Sequence, residues 1–146
     1  MFVPPDQGAV FFNIGSVPAA GTNFDYVVPA STRILLLGLS FTFATDANVA
    51  NRLISIDIED GSANRVLSSL QQTAMTASNI YQVFFAAYPQ EEAYAISTEL
   101  VRIGVFPPVL PLRSLWHIKS RCDGIQATDQ FDNIYALAYQ WIDPVV

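Results

Sequence analysis

The chain has 146 residues, of which 51% are hydrophobic and only 14% are charged, so it suits one domain with a sizeable core and is unlike a disordered chain. Seven basic against thirteen acidic side chains give a net charge of −6. This balance offers no basic field for phosphates and predicts a protein without a nucleic-acid partner.

The first eight residues combine two prolines and a glycine with an apolar start, MFVPPDQG. They lack the positive charge and long apolar run of a signal peptide, and no later run reaches the ~18 apolar residues of a membrane span. We expect an N-terminal arm over residues 1–8 and a single domain over residues 9–146, made in a cytosol with no membrane partner. Short strands are predicted at residues 9–14 and 24–28.

Residues 33–45 (RILLLGLSFTFAT) and the alternating residues 53–60 (LISIDIED) flank the loop TDANVANR and predict a β-hairpin. In the second arm, the isoleucines are expected to face the core and Asp57 and Glu59 to face water. In the first arm, strand alternation puts the large side chains on one face, which we expect to face the core. These side chains are Leu35, Leu37, Leu39, Phe41 and Phe43. The opposite face carries Ile34 and Leu36 and then a run of small residues, which indicates close packing of another backbone or subunit there: Gly38, Ser40, Thr42 and Ala44.

Further strands are predicted at residues 65–70, 79–88 and 114–122, and at residues 131–143, where Tyr139 and Trp141 share a face with two other large side chains. Three prolines in residues 105–112 predict an exposed apolar loop that is a candidate contact surface. Turn signals at intervals of about 8–12 residues, without a helical period, predict an all-β, two-sheet antiparallel sandwich of eight or nine strands, most simply a jelly roll.

Few residues are candidates for chemistry. Asp57 and Glu59 are spaced roughly 7 Å apart on one strand face, which is compatible with glycoside hydrolysis or a divalent cation, although a solvated acidic face is the commoner reading. His117 is expected on the surface, and the single cysteine, Cys122, is expected to be buried and structural. No cofactor motif is present. The tyrosines and tryptophans could stack on sugar rings in a lectin-like module, but they serve interfaces as readily and core packing most often.

Two segments carry a resemblance to a known family. Residues 28–61 contain a proline-led entry, a long apolar strand, a T-D-A-x-V-A-N-R loop and an alternating strand ending in D-G, and residues 114–143 contain a late D-Q-F-D-N hairpin. This pattern covers about half of the chain. It resembles the small β-sandwich virion proteins encoded beside the head genes of tailed bacteriophages.

The resemblance implies a capsid decoration, or cement, protein on the outer surface of the virion, often trimeric, that clamps neighbouring major capsid proteins without catalysis or cofactor. The residues expected to dock on the capsid are Met1, Phe2, Val3, Pro4, Pro5, Phe106, Pro107 and Pro108. The residues expected in the oligomer interface are Gly38, Ser40, Thr42, Tyr139 and Trp141. The alternatives are a carbohydrate-binding module of a phage tail or fibre and, second, a glycoside hydrolase.

Overall fold

The computed structural model describes residues 10–14, 16–71, 73–87, 95–96 and 99–142, which form strands and loops without a helix. The strands are β1 (Val10–Asn13), β2 (Asp25–Val27), β3 (Thr32–Ala44), β4 (Leu53–Glu59), β5 (Arg65–Leu70), β6 (Ile80–Ala86), β7 (Ala95–Ile96), β8 (Glu99–Val105), β9 (Leu110–Leu112), β10 (His117–Asp123) and β11 (Gln130–Ile142). The predicted all-β class is confirmed.

The strands form two packed sheets, which confirms the predicted sandwich. The larger sheet has the order β1-β11-β3-β6-β8-β7, with β9 also paired to β3, and the smaller sheet has the order β2-β10-β4-β5. The pairs are antiparallel except β6 with β8, which run parallel. A parallel pair needs a connection of about a dozen residues, and residues 87–98 supply that length. The larger sheet is therefore mixed, and a jelly roll stays a prediction.

The predicted hairpin between residues 33–45 and 53–60 is wrong. β3 pairs with β6, β9 and β11 in the larger sheet, whereas β4 pairs with β5 and β10 in the smaller sheet. The intervening loop is longer than the two to five residues of most hairpins, which allows the chain to pass from one sheet to the other. The loop is a corner of the sandwich.

A β-bulge in β3 changes which side chains face the core. Pairing with β11 passes from Leu36–Ala138 directly to Gly38–Leu137, so Leu37 is an extra residue on β3. Such an insertion shifts the alternation of all residues on one side of it. The large buried side chains are Ile34 and Leu36 before the bulge. After it they are Leu39, Phe41 and Phe43.

Because of the bulge, the prediction made for β3 is correct for the residues after it and wrong for the residues at or before it. Leu39, Phe41 and Phe43 face the core as expected. For Leu35 and Leu37 the prediction is wrong, because both lie half-buried on the outer side of the sheet. It is wrong also for Ile34 and Leu36, which are expected on the opposite face and are buried in the core.

A second irregularity lies near the start of β11, where the register shifts between Asp132 and Tyr135 and Asn133 has a φ of 49°. The core side of β11 then carries Ile134, Ala136 and Ala138. The outer side carries Tyr135, Leu137, Tyr139 and Trp141, which confirms that these four share a face.

Aromatic rings from the larger sheet and from the loop before β2 pack together in the core between the sheets. Phe131 lies 4.6 Å from Phe43 and 5.4 Å from both Phe24 and Phe41, measured between ring centroids. The isoleucines of β4 are also buried, as predicted. Edge-to-face and tilted pairs of this kind add stability beyond the apolar area that they remove from water.

The proline-rich segment is more regular than predicted. Leu110 and Leu112 are buried and pair with β3, while Pro111 between them is exposed. Proline is tolerated here because β9 pairs with β3 along one side, so the missing N–H need not break a ladder. The exposed loop is thereby shortened to residues 107–109.

Gly104 provides a test of the core packing. A Cβ atom at this position would lie 2.1 Å from the Phe85 ring, whereas one at Gly61 would have its nearest neighbour at 3.6 Å. We predict that Gly104→Ala lowers the free energy of unfolding by about 1–3 kcal/mol through overpacking. Gly61→Ala is the matched control and should change it by less than about 0.5 kcal/mol in urea titrations. Equal effects of the two substitutions would contradict the packing of β8 on Phe85.

Candidate interaction surfaces

The outer side of the larger sheet is an apolar surface that we call the apolar face. It is formed by Leu35, Leu37, Ile80, Phe84, Val105, Tyr135, Leu137, Tyr139 and Trp141. Ile80, Phe84, Val105 and Tyr135 keep between 38% and 44% of their surface exposed. Contiguous apolar patches of several hundred Å² are uncommon on monomers and mark interaction sites.

The five residues predicted for an oligomer interface all lie on this side of the larger sheet. Ser40 pairs with Tyr135 and with Phe84, and Tyr139 and Trp141 follow along β11 with their ring centroids 6.3 Å apart. Thr42 is half-buried and donates a hydrogen bond to Gln82. Gly38 is buried, and a Cβ atom there would approach the Phe85 carbonyl oxygen to 3.2 Å. The five thus share one side of the sheet but are spread along it, from Trp141 near one end to Thr42 near the other; whether a subunit covers them stays a prediction.

The outer side of the smaller sheet has the opposite character, and we call it the charged face. Lys119 donates a hydrogen bond of 2.6 Å to Glu59 and lies 3.7 Å from Asp25. The Asp25 carboxylate also accepts a hydrogen bond of 2.8 Å from Nδ1 of His117. The bond to Glu59 raises the pKa of the Lys119 ammonium, even though desolvation acts in the other direction. These charges are paired with one another across neighbouring strands.

Asp57 and Glu59 do not form an open pair of carboxylates. Asp57 is only 4% exposed, where the sequence predicts a wet position, because Ser68 donates to one of its oxygens and Arg65 lies 3.1 Å from the other. Glu59 is bound by Lys119. Both carboxylates therefore have cationic neighbours. Within the part of the chain that the structure describes, no group of three or more His, Cys, Asp or Glu side chains is placed to hold a metal ion.

Cys122 is buried at the end of β10 with 6% exposure, as predicted. Desolvation, reinforced by the Asp129 carboxylate, raises the pKa of its thiol to about 12. A thiol with so high a pKa carries almost no thiolate at neutral pH and is a poor nucleophile. The structural role expected for this residue agrees with its environment.

The residues predicted to dock on a capsid fall into two groups. Met1, Phe2, Val3, Pro4 and Pro5 lie outside the described residues. Phe106 is 2% exposed and its ring centroid lies 5.4 Å from that of Phe85, so it anchors the loop in the core. Pro107 and Pro108 are exposed beside Val109, which keeps 51% of its surface in solvent.

The two motifs behind the family resemblance meet in space around one buried arginine. Arg52, the last residue of TDANVANR, forms a bidentate pair with Asp129, the first residue of DQFDN, with both distances at 3.0 Å. Its remaining N–H groups donate to Asp46 at 2.7 Å and to the carbonyl oxygens of Asn48 and Ala50. All five guanidinium donors are thus satisfied, and neither Arg52 nor Asp129 has any exposed side-chain surface.

The two carboxylates of this network also organise the backbone of both loops. Asp129 accepts hydrogen bonds from the N–H groups of Asp46 and Gln126, and Asp46 accepts from Asn48 and Thr128. Burial would raise the pKa of the Asp46 carboxyl, but these hydrogen bonds and the Arg52 guanidinium outweigh it and hold the pKa below its ordinary value. Residues 45–52 and 124–130 are therefore joined as one unit.

Sequence reasoning missed this network. It identified the two motifs as patterns but did not predict that they touch, because periodicity reports faces of strands and not contacts between loops. The chemistry of Arg52 could have indicated it. This arginine ends a loop just before a buried strand, and a buried arginine needs an acidic partner.

Comparison of the chain with protein-family models, with curated proteins and with solved structures found no match. Among the described residues, no helix has the length and hydrophobicity needed to cross a bilayer.

Arg52→Met should lower the free energy of unfolding by about 3–5 kcal/mol, because it leaves Asp129 buried without its cation. Arg121→Met, at a half-exposed arginine whose nearest carboxylate oxygen is 3.7 Å away, is the control and should cost less than about 1 kcal/mol. Thermal or urea unfolding measures both. A small effect of Arg52→Met would show that the network adds little.

The same network has a pH dependence with a defined sign. Because the pKa of Asp46 is lowered from 3.8 on folding, its contribution is present above that value and is lost as the pH falls through the folded-state pKa. Urea unfolding of the wild-type protein and of Asp46→Asn measures this. The stability difference between them should shrink as the pH is lowered below about 4, and a difference independent of pH would contradict the lowered pKa.

Cys122 should be inert in the folded protein. At about pH 8, near the ordinary thiol pKa of roughly 8.5, a disulfide reagent such as DTNB should react slowly with native protein and rapidly with protein in guanidinium chloride. A native reaction as fast as the unfolded one would contradict the burial of the thiol.

Proposed function

We propose that this chain is a phage virion structural protein, a capsid decoration (cement) protein that binds the outer surface of the head and acts through contact area. The observation that carries the proposal is the contrast between the two outer sides of the sandwich. The apolar face presents aromatic and aliphatic side chains to solvent, whereas the charges on the charged face are paired with one another. A surface of this kind suits a protein whose role is to cover and join other surfaces.

The exposed tip at residues 107–109 is our candidate for the contact with the major capsid protein. Phe106 on one side and Leu110 on the other are buried, so the tip is held at both ends. Two successive prolines restrict its backbone further, which reduces the entropy lost on binding. Residues 1–5 are the second candidate for this contact, and many copies on one shell would act by multivalent binding.

A carbohydrate-binding module of a tail or fibre is the second candidate function. The observation in its favour is the run of aromatic side chains along β11, with Tyr139 and Trp141 adjacent and Tyr135 38% exposed. Aromatic faces stack on sugar rings, but they serve protein interfaces equally well. A glycan array decides between these uses: binding that Trp141→Ala abolishes would favour the module.

The hydrolase alternative has less support, because it needs two carboxylates that face a substrate. Asp57 is buried beneath Arg65 and Ser68, and Glu59 is bound to Lys119.

Binding to heads gives the direct test of the cement role. Val109 and Val17 are exposed to almost the same extent, 51% and 50%, but lie in different loops. We predict that Val109→Glu reduces co-sedimentation with phage heads stripped of the protein by at least about tenfold, because a charge is desolvated in the contact. Val17→Glu, the matched control, should bind as the wild type does.

Two results would contradict this assignment. Full occupancy by Val109→Glu would remove the tip from the contact, and deletion of residues 1–8 would then test the arm. Failure of the wild-type protein to co-sediment at all would contradict the cement role itself.

A further inference from the structure

The apolar face has the anatomy of a protein interface. Its centre carries Leu37, Phe84 and Leu137, and no described side chain there is charged. Arg33 and Asp132 lie near its two ends, where the β3–β11 pairing puts them opposite Trp141 and Thr42. An apolar centre with polar and charged residues at the rim is the usual arrangement of an interface core.

The size of this face is sufficient for stable association. β3 and β11 pair over eleven residues and β6 and β8 contribute seven each. At ~3.4 Å per residue and roughly 4.8 Å between strands, these lengths give a projected area of roughly 600 Å². Protruding side chains make the accessible area larger than the projection. Specific interfaces bury about 600–1,000 Å² on each partner, so the face lies within the range.

The chemistry of the rest of the surface restricts the partner. The charged face could cover the apolar face only if Asp25, Glu59 and Lys119 were desolvated, which costs several kcal/mol per ion. A head-to-tail ring needs two different complementary surfaces on each copy, whereas an isologous contact needs one surface that fits itself. Among the described residues, the apolar face is the extended sheet surface that is both uncharged at its centre and exposed.

We infer that the apolar face is covered by the same face of a second copy of this chain, in a two-fold symmetric dimer. Two sheets packed in this way lie about 10 Å apart with interdigitated side chains, and Phe84, Tyr135 and Tyr139 are the anchors. The trimer implied by the family resemblance is a different assembly, so the two can be told apart. The inference goes beyond the proposed capsid role and does not depend on it.

The test is the solution mass of the full chain, measured by sedimentation equilibrium in the absence of heads. The wild type should have twice the 16.0 kDa mass of one chain. Phe84→Lys places a charge in the centre of the contact and should raise the dissociation constant of the dimer at least about tenfold. Leu70→Lys, at a 55% exposed leucine in β5 of the smaller sheet, is the matched control and should remain dimeric.

Circular dichroism and thermal unfolding establish that each variant is folded, and Tyr135→Ser replaces Phe84→Lys if the latter does not fold. A monomeric wild type would overturn the inference. A trimeric mass would overturn the two-fold arrangement, and dissociation by Leu70→Lys but not by Phe84→Lys would move the contact to the smaller sheet. Because no heads are present, none of these results depends on the outcome of the head-binding test.

Discussion

The buried guanidinium of Arg52 is the constraint on which the arrangement of this sandwich depends. It belongs to the loop that carries the chain from β3 in the larger sheet to β4 in the smaller, and Asp129 belongs to the loop that carries it back from β10 to β11. The bidentate pair therefore fixes the two crossings to each other. A pair of this kind stabilises little relative to a well-packed apolar substitute, but it penalises any arrangement that separates the partners. The pair thus favours the arrangement in which the two loops meet.

With the corners joined, β3 and β11 lie side by side along 13 residues each, and their bulges determine what the larger sheet shows to the outside. Leu37 is extra on β3, so Leu35 and Leu37 face outward beside the aromatic side chains of β11. Without the bulge, strict alternation would place these leucines on the same side as Phe41 and Phe43. The apolar face thus follows from one inserted residue.

The sequence predicted the class of the fold, the isoleucine face of β4, the shared face of the four large side chains on β11 and the burial of Cys122, because each follows from composition or from a period of two. The predictions failed where one inserted residue breaks the strand period of two, or where the strand pairing differs from the one expected. The hairpin between β3 and β4 was wrong because alternation does not reveal whether a loop turns within a sheet or between sheets. Leu35 and Leu37 were misplaced by a bulge that carries no clear signal. The Arg52 network required contacts between segments far apart in sequence.

In the proposed dimer, the apolar face is covered and the charged face stays open to solvent. Hydroxyl-radical footprinting at a series of protein concentrations tests this claim most directly, since radicals oxidise exposed aromatic and aliphatic side chains. We predict that Phe84, Tyr135 and Trp141 become protected as the protein concentration rises, while Leu70 on the smaller sheet is oxidised equally throughout. Equal oxidation of the apolar face at all concentrations would contradict it.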